Sequence, residues 1–254
     1  MSWERLEQEL DHWAADRRPA TLWWRDDDAV APTPALERLV RVTRARGIPL
    51  ALAVIPARAE PGLVHALADH VAVSVLQHGY AHRNHAAEGI RAVECGGARP
   101  IEEAKRELAA GCQGLAALFG PRFLPVLVPP WNRIDPALVP ALPDLGFVGL
   151  STWDARQGRE AAPGLPQVHT HADPIAWRNG RVFRGVGPVT DALADHLEAR
   201  RRGRADPEEP TGLLTHHLAH DEPGWAFLEE TAERLSRHPA VRWLSAPEAF
   251  GTAA

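Results

Sequence analysis

The stretch Thr21-Leu22-Trp23-Trp24-Arg25-Asp26-Asp27-Asp28 runs from apolar residues straight into one cation and three adjacent carboxylates. A short apolar run of this kind reads as a strand covered on both faces. Adjacent carboxylates repel, and crowding them costs free energy unless a cation or a proton compensates. A divalent metal taking one of them, with a second acting as a base, relieves that cost. An Asp-rich turn capping a helix is the structural alternative.

Further along the chain the same kind of strand recurs. Apolar runs at 48–55, 71–76, 123–128, 147–151, near Val168, at 211–215 and at 241–244 are predicted strands. Amphipathic stretches at 34–46, 61–70, 101–119, 136–145, 189–202 and 225–238 lie between them, and several open on Pro, which suits a first helical turn. Strand–helix alternation predicts right-handed βαβ units and a parallel sheet. Seven or eight such units close into a distorted (β/α) barrel with outer helices; a doubly wound open sheet is the alternative. The Gly- and Pro-containing segment 156–166 reads as a loop. One catalytic domain over 1–254 is expected, with an N-terminal helix inside 1–20.

The 254 residues are 45% hydrophobic with a formal net charge of −5, enough for one substantial core and without the basic excess of a nucleic-acid partner. The run Arg200–Arg204 reads as a solvated helix end. Cys95 and Cys112 have neither zinc-knuckle nor disulfide-framework spacing, which fits a reducing compartment. The opening MSWERLEQELDHW is charged and amphipathic, and no segment approaches the roughly 18 apolar residues of a membrane span. A cytoplasmic protein without a membrane partner is the expectation.

Eight of the 13 histidines fall in three groups: His78, His82 and His85; His169 and His171; His216, His217 and His220. In a parallel barrel the strand C-termini open on one face, so Arg25–Asp28, His78–His85, Trp131–Arg133, Trp153–Asp154 and His216–Asp221 converge on one pocket. His78 and His82 are four apart after a strand, and neutral imidazole is the commonest zinc ligand. Two His and one carboxylate leave a coordination position open for water.

Asp27-Asp28 followed by His78-Gly79-Tyr80-Ala81-His82 resembles the polysaccharide-deacetylase superfamily of carbohydrate esterases. The resemblance makes Asp27 the general base and Asp28, His78 and His82 the metal ligands; a one-residue shift would use Asp26 and Asp27 instead. Gly79 stands where that family carries Ser or Thr. Val128-Pro129-Pro130-Trp131-Asn132 is similar to its third motif, with Val128 in place of an Arg that orients the base. Arg25 or Arg133 can supply that charge. Trp131 and Trp153-Asp154 look like the aromatic wall of the third and fourth motifs. Leu214-Thr215-His216 is similar to the fifth and makes His216 the general acid, with His217 as the alternative if the strand slips by one. Arg25, Trp131, Asn132, Arg133, Trp153, Asp154 and His171 are candidate substrate contacts.

What the resemblance implies is a hydrolase using a divalent transition metal, zinc by ligand type, to release an acyl group from the amide nitrogen of a small-molecule or oligosaccharide substrate. Two rivals stand beside it. One is a small non-sugar amide or imide, with Arg25, Arg133 and Arg178 available to a carboxylate. The other is a barrel that binds without turnover. His169, His171 and Asp173 lie outside the pattern, as substrate contacts, a second ion site or structural polar groups.

Overall fold

A computed structural model describes residues 3–252. The helix α1 (Glu4–Ala15) is followed by β1 (Ala20–Ala29), α2 (Pro34–Arg44), β2 (Leu50–Val54), α3 (Pro61–Ala66), β3 (Val73–His78), α4 (Ile101–Phe119), β4 (Phe123–Val128) and β5 (Gly149–Leu150). Two short hairpins come next, β6–β7 (Glu160–Ala162, Leu165–Pro166) and β8–β9 (Ile175–Ala176, Val182–Phe183). The chain ends with α5 (Val186–Arg201), β10 (Thr211–Thr215), α6 (Glu222–Arg237), β11 (Val241–Trp243) and α7 (Ala246–Ala249).

Local chemistry sets several of these boundaries. Pro34 opens α2 while the Thr33 side chain accepts from the Leu36 N–H, and Asp221 caps α6 through Gly224 in the same way. The helix expected over 136–145 does not form. Pro140 and Pro143 remove backbone donors there, and the segment folds into two 3₁₀ turns, Val139–Ala141 and Pro143–Leu145.

All the ladders of the main sheet are parallel, in the order β10-β1-β2-β3-β4-β5, with β11 on the first residues of β1. The segment 167–172 links the two outer strands: it bridges Leu150 and Trp153 on one side and Leu213 on the other. The sheet therefore curls into a distorted (β/α) barrel rather than a doubly wound open sheet. Strand alternation sorts the core into two layers. Trp23, Ala51, Ala53, Leu76, Val126, Val128 and Val168 pack in the lumen, with Phe250 just beyond α7 edge-on to Trp23 at 5.9 Å. Their neighbours Leu22, Trp24, Leu52, Val54 and Val75 pack outward with the helices. Among the described residues no helix is long and apolar enough to cross a membrane.

Candidate active site

The acidic run at the end of β1 is opened by a bulge. Arg25 and Asp26 pair with Ala51 and Leu52, but β1 then takes three steps to Ala29 while β2 takes two to Val54. Such an extra residue re-aims side chains, and Asp28 adopts φ +71° to absorb it. Asp27 keeps the lumen-facing side of Arg25, and Asp28 turns to the same cleft. Asp26 faces outward and is fully buried. It accepts from Thr215 Oγ1 at 2.6 Å and from the His217 N–H at 3.0 Å, and it pairs with the His217 ring. Of the two pairings left open by the sequence, Asp27 with Asp28 is the one that shares the cleft.

Arg25 is buried beneath that cleft and grips Asp27 with both arms of its guanidinium, Nε to Oδ1 at 2.9 Å and Nη2 to Oδ2 at 3.0 Å. Its remaining donors reach Ser151 Oγ at 2.6 Å, the Thr152 carbonyl at 3.2 Å and Asn132 Oδ1 at 2.7 Å. Every arm is committed to protein, so the cation sits where Val128 cannot place one, and it is unavailable as a substrate contact. Arg133 instead lines the cleft and donates to the Ala92 carbonyl.

Asp28, His78 and His82 bring three ligand atoms within 4.8 Å of one another. His78 Nδ1 donates to the Val128 carbonyl at 3.0 Å, which leaves Nε2 as the free acceptor, 3.1 Å from Asp28 Oδ1. His82 Nε2 lies 3.3 Å from the same oxygen, which is buried without a hydrogen-bond partner. Burial pushes the Asp28 carboxyl up, but His78, with His216 and His82, outweighs it and holds Asp28 well below the usual carboxylate range. Burial also disfavours charge on His78, yet Asp27 and Asp28 overcome it and raise that pKa. An orphaned carboxylate oxygen facing two imidazole nitrogens fits a divalent transition ion.

The loop that carries His82 is clamped from below by Glu94, which is buried and accepts from the N–H groups of Tyr80, Ala81 and Arg83 at 2.8–2.9 Å. Gly79 is required beside it: a Cβ there would lie 2.0 Å from Glu94 Oε2 and 2.6 Å from Pro130 Cδ. Trp131 lies against the His82 ring at 4.5 Å.

Across the cleft, His216 follows β10 on the side of Leu214, whereas His217 turns outward onto Asp26. His216 Nδ1 lies 4.0 Å from Asp173 Oδ2, and the Trp177 ring meets His216 edge-on at 4.6 Å. Trp177 Nε1 donates to the same Asp173 oxygen at 2.7 Å. The cleft holds about 660 Å³, the size of a small ligand, and its lining also includes Trp131, Asn132, Arg133 and Trp153.

Two sequence-derived contacts lie elsewhere. Asp154 is exposed, and its side chain turns back to the Ala155 N–H, because φ +77° swings it away from the opening. His171 is buried against α5, its ring stacked on His196 at 3.3 Å with an interplanar angle of 14°. Both rings approach Glu209, at 3.7 and 3.6 Å. Nearly parallel rings share no in-plane point for an ion, and His171 Nδ1 accepts from the Gly212 N–H, so Nε2 carries the proton. The ligand atoms of His171, His196 and Glu209 also lie within 4.8 Å of one another, but a protonated Nε2 and parallel rings suit buried polar packing better than an ion; Asp173 lies apart from them, 4.0 Å from His216 Nδ1.

The residues missed by sequence reasoning come mainly from the β8–β9 hairpin, which brings Trp177 and Arg181 to the cleft with Arg184 just beyond it. Asn179-Gly180 in its tip is a hairpin signal that would have found it. Glu94 carried no such signal.

No family model and no curated protein matches the sequence. Solved structures do match in fold. A provisionally assigned polysaccharide deacetylase from Mycobacterium smegmatis is 16% identical over 92% of this chain and 90% of its own, with a TM-score of 0.62. A peptidoglycan N-acetylglucosamine deacetylase, solved with an N-oxidanyl-benzamide compound, is 15% identical over 92% and 90%, at 0.57. A family 4 acetyl xylan esterase from Clostridium thermocellum, solved with a cobalt ion, is 11% identical over 91% and 90%, at 0.54. On that likeness, this chain has the polysaccharide-deacetylase fold.

Proposed function

We propose that the protein is a metal-dependent hydrolase that removes an acyl group, acetyl in the first instance, from the amide nitrogen of a sugar or sugar-like substrate. The observation that carries the reading is one cleft holding Asp28, His78 and His82 as a ligand set beside the Arg25-paired Asp27, with His216 on the opposite wall. The solved relatives include a deacetylase of N-acetylglucosamine in peptidoglycan, which supports the reaction class.

Bound by Asp28, His78 and His82, a divalent transition ion, zinc by ligand type, supplies Lewis acidity toward the acyl carbonyl and toward water. Asp27, fixed by Arg25, takes a proton as the water oxygen adds to the acyl carbon. His216, with Asp173 4.0 Å from its Nδ1 and Trp177 edge-on to its ring, gives a proton to the nitrogen as the carbon–nitrogen bond breaks, releasing the amine and a carboxylate. The binding-only reading rested on Val128 standing where an arginine is expected; Arg25 at Asp27 takes that argument away. Both cysteines are unpaired, which fits the cytoplasm as the proposed location.

Elemental analysis of the purified protein beside His78→Ala, followed by acetate release from N-acetylated sugars, tests the proposal. About one equivalent of metal in the wild type only, with acetate released, upholds it. No metal after incubation with zinc refutes it.

A further inference from the structure

We infer that the substrate of this cleft carries an anionic group, a carboxylate or a phosphate, seated on Arg133, Arg181 and Arg184. The inference deepens the deacetylase reading and rests on it for the identity of the bond that breaks.

The argument starts from charges that have no protein counter-ion. Several arginines elsewhere pair with acids, as Arg38 does with Glu222 and Glu229 and Arg201 with Glu9, and others, such as Arg41 and Arg58, stand scattered over the surface without one among the described residues. Arg133, Arg181 and Arg184 also lack an acid partner there, and they differ from the scattered ones in lining a single cleft. Arg133 donates to the Ala92 carbonyl at 2.8 Å, Arg184 reaches the Asp173 carbonyl at 3.4 Å, and Arg181 lies over the Trp177 ring at 6.0 Å. Backbone oxygens and a ring face leave their charge unneutralised.

The carboxylates in the lining are already committed. Asp27 is held by Arg25, Asp28 faces two imidazoles, and Asp173 accepts from Trp177 Nε1 and from the Ile175 N–H. A chain of formal net charge −5 thus gathers three uncommitted guanidiniums at one opening. Guanidinium forks match carboxylate and phosphate oxygens, and a local cationic field speeds the arrival of an anion. Trp153 and Trp177, 39% and 41% exposed, supply ring faces beside them, so the remainder of the ligand is a flat or sugar-like body.

The test is calorimetry on metal-loaded protein with N-acetylglucosamine, its 6-phosphate and its 3-O-lactyl ether, a carboxylate. Wild type is compared with the Arg181→Gln/Arg184→Gln double variant, and acetate release is measured on the same samples. We expect at least one anion to bind about tenfold tighter than the neutral sugar. That preference shrinks in high salt and collapses in the double variant, and the anion preferred names the source. Equal binding of all three, no binding of any, or a preference that survives the substitutions overturns the inference. Acetate release without anion preference removes the arginine seat and leaves the deacetylase. Anion preference without acetate release removes the deacetylase and leaves the seat.

Discussion

Arg25 and Asp27 stand two residues apart on one strand, facing the same side, and the guanidinium holds both carboxylate oxygens while neither residue is more than 2% exposed. The i, i+2 spacing of a strand puts them on one face, so the base and its cation come from a single element.

Asp27→Asn is expected to keep the metal and to lower turnover by about 10²–10⁴-fold, the usual worth of a positioned general base. Arg25→Met leaves a buried carboxylate without its cation. It should cost about 3–5 kcal/mol of folding stability, read from urea midpoints, and turnover as well. A variant at Asp27 with full activity would remove it from the mechanism.

His78→Ala and Asp28→Asn should each abolish metal binding, measured by elemental analysis. Chelation should lower the melting temperature of the wild type and leave that of both variants unchanged, since an ion that binds only the folded chain stabilises it by mass action.

Glu94→Gln replaces an acceptor of three N–H groups with a side chain that is half donor. The His82 loop should loosen, and metal affinity should fall about 10–100-fold in a competition titration. Gly79→Ala, with a Cβ at 2.0 Å from Glu94 Oε2 and φ at +54°, should destabilise the fold by more than about 1 kcal/mol, measured by urea unfolding.

Burial lowers the pKa of His169 and of His171 to about 4. Both are therefore neutral in the folded chain at pH values where the unfolded chain, near 6.5, takes up protons. Stability contributed by their neutrality is intact above 6.5 and is lost as the pH falls toward 4, by at most about 3 kcal/mol each. His217 runs the other way. Burial opposes its charge, but Asp26 raises its pKa, so its contribution is full below 6.5 and fades as the pH rises through the folded value. Urea midpoints of metal-free protein between pH 7 and 4.5 should show a shallower acid slope in His171→Gln than in the wild type; equal slopes would contradict this account.

The strands of the main sheet were legible because each is a short run with apolar residues on both faces, from Leu22 in β1 to Leu214 in β10. The barrel's closure was nearly so: the run near Val168 was visible, although it forms bridges rather than a ladder. The ligand trio was legible from spacing plus resemblance. What the pattern left undecided was which acid faces inward, since strict alternation admits only one of Asp27 and Asp28, and a bulge has no side-chain signature. Arg25 and Arg133 were equal candidates for the missing cation until three-dimensional register separated them. Glu94 acts from 11 to 14 residues away on backbone N–H groups, which no local pattern records. Both hairpins were overlooked, β6–β7 inside the segment 156–166 read as a loop and β8–β9 near the cleft, because their strands are only two or three residues long.

The bulge in β1 has a consequence for how such a chain can change over generations. With one residue removed between Asp26 and Ala29, plain alternation returns: one acid looks inward, its neighbour looks outward, and proton acceptor and ion holder no longer share a wall. Loops elsewhere can lengthen or shorten without touching this arrangement. Along this strand, inheritance is bound to a count of residues before it is bound to their chemistry.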